Sequence, residues 1–410
     1  MDMQELQREA LENCKEQFSY IDDICVYNTK KILEAYRECR VSEFHFHGST
    51  GYGYGDAGRE KLDEVFAHVF KAERGLVRPH FVSGTHTLAT VLMAFLGKGD
   101  KMISLIGSPY DTMKSVIGYE YEVKNSLVSK GVLYEEVPLV NDAYDLEGIK
   151  KTVVPGTKLV LIQRSRGYSG RKTLSPEDIG MICKAVKEID PNIICFVDNC
   201  YGEFTAKEEP IEMGADIAAG SLIKNAGAGL APTGGYVVGK NELVETVADS
   251  LTAPGLGDHV GSYTGGYRMF FQGLFMAPHV VAQAVKGAVF AGAVFAKMGF
   301  DVSPACNERR YDLIQSIYLK NEKNMQLFCE GLQRFSPVDA YVRPEPGEMP
   351  GYTDPIIMAG GTFVQGSSIE LSADGPVREP YLIYLQGGIV FEHNMLAVMS
   401  AAEFVASHQA

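Results

Sequence analysis

Three short segments of this 410-residue chain hold residue types that could do chemistry. The first, Ser83-Gly84-Thr85-His86-Thr87, opens a helical pattern after the apolar run Pro79–Val82. Small residues at a helix N-terminus present backbone amides and the positive end of the helix dipole, and together these cradle a phosphate. Read alone, such a turn is more often just the way an α/β unit rounds a corner. The second is Asp198-Asn199, which follows the apolar run Ile193–Val197. A carboxylate at the end of a buried strand needs a partner, because an unpaired buried charge is expensive. A helix cap, a metal or a protonated ring nitrogen would each serve. The third is Gly220-Ser221-Leu222-Ile223-Lys224, just past the run Asp216–Ala219. Most lysines are solvated surface groups. The small neighbours Gly220, Ser221 and Gly227 instead predict a close-packed pocket, where desolvation would lower the lysine pKa and leave a usable amine nucleophile.

The three gain force together. A phosphate cradle, an acid at one strand end and a lysine past the next are what pyridoxal 5′-phosphate needs. The lysine amine condenses with its aldehyde, the aspartate keeps its ring nitrogen protonated, and the helix N-terminus holds its phosphate. Ligands in open α/β sheets sit beyond the carboxyl ends of the strands, which is where all three segments fall.

The elements that must position them follow from periodicity. Apolar runs at Pro79–Val82, Lys101–Ile106, Val132–Pro138, Lys158–Ile162, Ile193–Val197, Asp216–Ala219 and Gly235–Val238 read as strands bounded by Gly, Pro, Asp or Asn. Helical patterns lie between several of them, such as Thr87–Leu96 and Pro176–Ile189, the latter with Ser175 as cap and proline at its first position. This alternation predicts an α/β fold with about seven mostly parallel strands and helices on both faces. Residues 1–50 read as an N-terminal segment with two helical pieces, 51–300 as a large α/β domain, and 301–410 as a smaller α+β domain. In the last, a helix is expected from about Glu308 to Arg334, then short strands at Ile356–Met358, Thr362–Val364 and Leu382–Leu385, then a closing helix from His393.

Composition narrows the partners. With 38 basic against 52 acidic residues the net charge is −14. That argues against a general nucleic-acid binder, which needs a basic stripe. The apolar stretch Met269–Phe300 is interrupted by His279, Gln283, Lys286 and Lys297, so it reads as a buried helix and not as a membrane span. The eight scattered cysteines include no CxxC pair and read as free thiols of a reducing compartment. The acidic N-terminus lacks the pattern of a signal peptide, and a cytoplasmic protein is expected. No metal site is expected. His45 and His47 lack Cys or carboxylate partners at ligand spacing, and the Gly51-x-Gly53-x-Gly55 spacing follows no strand.

The order of these elements resembles fold-type I pyridoxal-phosphate enzymes. Phe196-Val197-Asp198-Asn199 and Ser221-x-x-Lys224 are similar to the V-D-N and S-x-x-K elements of the Cys/Met-metabolism group. Over most of its length the chain resembles the aluminium-resistance proteins, which are described as cystathionine β-lyases or methionine γ-lyase-like. The matching runs are His47–Arg59, PHFVSGTHT (79–87), QRSRGYSGRKTL (163–174), FVDNCYGEF (196–204), GSLIKNAGAGLAPTGGY (220–236), GGTFVQGSSIELSADGPVREPY (360–381) and YLQGGIVFEH (384–393).

The resemblance implies fold-type I architecture, pyridoxal phosphate as cofactor, and a homodimer or homotetramer in which a neighbouring subunit completes each site. It implies cleavage of a carbon–sulfur bond in a sulfur amino acid. An aldolase, aminotransferase or decarboxylase on the same cofactor, or a non-catalytic relative, are the alternatives. Ser83, Gly84, Thr85, Asp198, Ser221 and Lys224 would bind the cofactor, and Lys224 would also be catalytic. Tyr110, in Ser108-Pro109-Tyr110-Asp111-Thr112, would stack on the ring and assist proton transfer.

The chain departs from the C–S lyase pattern in three places. The Y-x-R phosphate clamp given by the neighbouring subunit has no direct copy, so Tyr52 or Tyr54 is the candidate, ahead of Arg59. No arginine directly precedes Leu385-Gln386-Gly387-Gly388, so Arg378 is the candidate for the substrate carboxylate, with a salt bridge as its plainer role. Gln163 or Arg166 is left to reach the cofactor's phenolic oxygen. His86 either lies over the ring or caps its helix.

Overall fold

The computed structural model describes residues 2–349 and 354–407, so the first and last residues of the two predicted terminal segments fall outside it. Its long first helix, α1 (Met3–Glu38), carries Leu6, Ala10, Cys14, Ile21, Ile24, Ile32 and Ala35 on one buried stripe. This spacing of three and four residues is the signature of an amphipathic helix. Two helical pieces were expected, but no proline breaks the pattern and the helix runs through. After α2 (Ala57–Val69), strand and helix alternate: β1 (Arg74–Arg78), α3 (Gly84–Phe95), β2 (Lys101–Ser104), α4 (Asp111–Ile117), β3 (Leu133–Glu136), α5 (Leu146–Thr152) and β4 (Leu159–Gln163). The alternation continues through α6 (Pro176–Ile189), β5 (Ile194–Asp198), β6 (Ile217–Ser221) and β7 (Gly235–Gly239), followed by α7 (Asn241–Leu251) and α8 (Arg268–Lys297).

These seven strands form one sheet in the order β1-β7-β6-β5-β4-β2-β3. The run from β6 to β3 is parallel, while β7 is antiparallel to both of its neighbours. Strands β4 to β7 are buried at every position, as expected where both faces are covered. One expected strand is displaced. Pro79–Val82 is a turn, and β1 lies just upstream at Arg74–Arg78. Its charged ends disguised it. Arg78 is buried on the strand because its guanidinium meets the Asp63 carboxylate at 2.7 Å.

Helix α8 is long and apolar enough to cross a membrane, yet 78% of its apolar window is buried inside the molecule. The stripe of α1 covers one side of it and the C-terminal helix another. Exposed ion pairs, Lys286 with Asp22 and Lys297 with Glu9, flank the α1–α8 contact. Such pairs contribute at most about 1 kcal/mol each, whereas each buried Leu or Ile contributes roughly 2 kcal/mol, so the apolar stripe holds the two helices together. Most of α8 is thus covered within the chain. Near its N-terminus, α8 passes so close to the turn after β6 that a Cβ on Gly273 would lie 2.5 Å from the Gly227 carbonyl oxygen.

The smaller unit is antiparallel. It comprises β8 (Val302–Ser303), β9 (Gln315–Tyr318), α9 (Glu322–Gln333), β10 (Ile356–Ala359), β11 (Ser372–Pro376), β12 (Leu382–Gln386) and α10 (Phe391–Ser407), with sheet order β10-β11-β12-β9-β8. The expected helix from Glu308 to Arg334 is β9 followed by α9. Asn321 accepts from the Asn324 amide to cap the true helix start. Thr362–Val364 is a loop and not a strand, because the Phe363 and Val364 amides donate to the Glu370 carboxylate and not to a ladder.

Candidate active site

The parallel sheet places the predicted acid and amine side by side. Asp198 is the last residue of β5 and pairs in register with Ala219 of β6. Two residues later β6 ends at Ser221, and Lys224 follows in the turn beyond. That turn is drawn tight: a Cβ on Gly227 would lie 1.8 Å from the Leu222 carbonyl oxygen, so only glycine fits. The close-packed setting read from Gly220, Ser221 and Gly227 is present.

Lys224 and Asp198 line one cavity of about 190 Å³. The Lys224 Nζ stands 4.1 Å from the centroid of the Tyr201 ring. Tyr201 has φ +72°, in the left-handed region that non-glycine residues pay to occupy. Burial pushes the Asp198 carboxyl pKa up, against the pull of Lys224 and of the Cys200 amide, which donates to its Oδ1 at 3.1 Å. The lysine departs from expectation. Burial lowers its pKa, but the acidic neighbours Cys200, Tyr201, Asp198 and Glu203 outweigh that and raise it overall. The chain by itself holds Lys224 as an ammonium ion.

The small-residue turn lies in the same cavity. Ser83 caps α3, accepting from the His86 amide at 3.0 Å with its hydroxyl and from the Thr87 amide at 3.0 Å with its carbonyl. The first amides of a helix have no partner within it, which leaves those of Gly84 and Thr85, both of which line the cavity. A Cβ on Gly84 would come within 3.2 Å of the Ser221 Cβ, so the helix start abuts the end of β6. Tyr110, at the start of α4, also lines the cavity. Its amide donates to Gln163 Oε1 at 2.7 Å.

Of the other expected residues, Gln163 lines the cavity, while Tyr52, Tyr54, Arg59 and Arg378 lie elsewhere. Tyr52 and Tyr54 are 73% and 68% exposed. Their rings stack on each other at 5.4 Å. Tyr54 borders a separate recess with Leu256 and His259. Arg59 is buried and donates to the carbonyls of Gly53, Gly261 and His259, so it braces that glycine-tyrosine loop. The Arg378 side chain is 58% exposed and pairs with Asp354 at 2.6 Å. It lines an adjoining cavity of about 340 Å³ whose wall, Tyr110, Gln163, Gly167 and Tyr168, is shared with that of Lys224. Gln163 has its amide nitrogen on the Ser165 carbonyl, and Arg166 donates to Ser303 and Ser316. His86 accepts from the Val82 amide through Nδ1 at 3.1 Å, which is the capping alternative.

Sequence reading missed several cavity residues. Tyr201 lies within FVDNCYGEF (196–204), but nothing in its type says it lies beneath a lysine. Asp374, Gln386 and Tyr384 come from β11 and β12, and Tyr168 from the loop after β4. Ser372–Pro376 is buried throughout its middle but carries an aspartate and a glycine there, so its sequence gives no strand signal for Asp374. Behind the cavity floor lies a buried polar layer. Arg164 donates to Asn199 at 2.8 Å, and the Tyr236 hydroxyl to Glu203 Oε1 at 2.8 Å. Burial pushes the Glu203 carboxyl up to about 8.

The comparisons with known proteins agree on the family. A family model described as methionine gamma-lyase matches residues 3–406. An uncharacterised Bacillus subtilis protein, YnbB, is 44% identical over 391 residues, which is 95% of this chain and 93% of that protein. A solved structure from Listeria monocytogenes, provisionally named a cystathionine beta-lyase involved in aluminium resistance, is 46% identical with a TM-score of 0.96, covering 98% of this chain and 100% of that one. A carbon-sulfur lyase involved in aluminium resistance from Clostridium novyi NT is 47% identical with a TM-score of 0.93, covering 97% and 94%.

Proposed function

The chain belongs to the methionine gamma-lyase family, and from that premise we propose that it is a pyridoxal-phosphate-dependent lyase that breaks a carbon–sulfur bond in a sulfur amino acid. The observation that carries this is the shared cavity of Lys224 and Asp198, with the lysine amine over the Tyr201 ring. The residues fit the cofactor. Asp198 is a buried carboxyl whose pKa burial raises, so a cation in the cavity would relieve it. Gly84, Thr85 and Ser221 offer a helix start and a hydroxyl to a phosphate.

When bound, pyridoxal phosphate supplies an aldehyde for an amine and a ring that accepts negative charge from the substrate α-carbon. Asp198 would hold a proton at the ring nitrogen, and with its charge so neutralised it would pull less on the Lys224 ammonium. Lys224, as a free amine, would take the α-proton at Nζ. Tyr110 would face the ring and assist proton transfer. Arg378, across the shared wall, is the proposed holder of the substrate carboxylate, with Asp354 its competitor for that role. The sulfur leaves from the β- or γ-carbon as a thiol.

We place the glycine-tyrosine loop of one protomer against the cavity of its partner, in a homodimer or homotetramer. The exposure of Tyr52 and Tyr54 supports this arrangement. Lys224→Ala should lose both the visible absorbance of the covalently bound cofactor and all elimination. Pyruvate or 2-oxobutyrate released with a thiol supports elimination. Glycine with an aldehyde would move the reading to aldol cleavage, and a variant that still bound the cofactor covalently would end it.

A further inference from the structure

The wall of the Lys224 cavity contributed by the smaller unit contains an acid that nothing in the reaction above uses. Asp374 stands at the centre of β11, in register with Tyr384 on one side and Met358 on the other. It is 7% exposed. One carboxylate oxygen, Oδ2, accepts from the Gln386 amide at 3.3 Å, and the Tyr168 hydroxyl also donates to the carboxylate. The other oxygen, Oδ1, is buried without a hydrogen-bond partner. Among the described residues no Lys, Arg or His forms an ion pair with Asp374. The acid borders the Lys224 cavity and also a second cavity of about 520 Å³, which opens from it under the loop 360–368. Ser367 borders that second space, and its buried hydroxyl likewise lacks a partner.

A buried carboxylate with no cation is costly, and a donor that carries positive charge would remove that cost. An α-ammonium common to every amino acid would not need a separate acid set back in the small unit, since Lys224 and Asp198 already define where the reacting amine sits. Burial pushes the Asp374 carboxyl up to about 6, against the pull of the Tyr168 hydroxyl, and no cation offsets it.

We propose that Asp374 is a specificity-determining residue that binds a positively charged, hydrogen-bond-donating group on the leaving arm of the substrate. The enzyme then favours a thioether whose sulfur carries an ammonium-bearing arm over one whose arm is plain alkyl. A site built to hydrogen-bond a substrate group rejects the analogue lacking it far more strongly than an apolar pocket rejects a missing methylene. The proposal rests on the lyase reading above, and its test is separable from that reading.

The probes are the S-(2-aminoethyl) and S-propyl derivatives of L-cysteine and L-homocysteine, which match in length and differ in the terminal charge. Binding to the cofactor-loaded protein is measured by calorimetry, and cleavage by thiol release. Wild type should bind the aminoethyl member of a pair at least tenfold more tightly. Asp374→Asn should bring that ratio near one while S-propyl binding stays within about twofold. Equal binding of the two by wild type would overturn the proposal whatever the variant does. So would a loss in Asp374→Asn that falls equally on both, the mark of an acid that only steadies Tyr168. Tight, charge-selective binding without thiol release would leave the role of Asp374 standing and sink the lyase reading instead.

Discussion

The floor and the far wall of the cavity are built on opposite principles. The floor comes from the carboxyl ends of parallel strands, where Asp198 and Lys224 are set by the register of β5 against β6 and by a turn too tight for any side chain at Gly227. The far wall comes from the antiparallel β11 and β12 and from loops, and it holds Asp374, Gln386 and Tyr384. The floor's charges have each other and a packed polar layer behind them. The wall's acid lacks a cation. A floor of this kind suits chemistry common to many substrates, and a wall of this kind suits the choice among them.

Variants on the two sides should therefore fail differently. The largest effect is expected at the floor: Asp198→Asn should lower kcat for every substrate by on the order of 100- to 1,000-fold, as losing one preorganised electrostatic group does elsewhere. Steady-state kinetics on two unrelated substrates would check it, and a loss confined to one would break the division between floor and wall. Next comes the layer behind the floor. The Glu203 carboxyl is raised from 4.5 to about 8 by burial. The fold thus favours its protonated form, and stability falls as pH rises from about 4.5 to about 8. Glu203→Gln keeps an oxygen for the Tyr236 hydroxyl and removes that fall. It should be more stable than wild type by an amount that grows through this window, with about 5 kcal/mol as the ceiling. Thermal midpoints at pH 5, 7 and 9 read the slope, and parallel curves for the two proteins would refute it. The smallest effect belongs to the rim of the wall. Arg378→Ala should raise KM by less than about tenfold with kcat nearly unchanged, because its guanidinium is half-exposed and shared with Asp354. A collapse of kcat would move Arg378 into the floor's company.

The same contrast governs what the sequence alone could reveal. Buried parallel strands leave continuous apolar runs, and the residue after each run is the one the sheet must present. That is why Asp198 and Lys224 stand out in the sequence, whereas the Ser83-Gly84-Thr85 turn stands out by its small residues, the run before it being itself a turn. Their electrostatics were harder. Burial alone would acidify the lysine, but the acids gathered round it all lie in residues 198–203, and only the pairing of β5 with β6 brings that segment against Lys224. On the far wall, β11 hides between a glycine-rich loop and a proline, with an aspartate and a glycine inside it, and neither type announces a strand. Likewise β9 was read as helix because its polar flanks blurred the switch in period. Arg378 was chosen for its chemistry and its place in the chain, which could not show that Asp354 lies within reach.

The backbone contact between Gly273 and Gly227 ties distant parts of the chain together. The turn that carries the reactive amine leans directly on α8, and α8 in turn is clasped by the first helix of the chain. A lesion in the buried stripe of α1, remote from any substrate, would therefore loosen the very peptide that aims Lys224, and mutations there should be screened for lost cofactor before they are dismissed as bystanders.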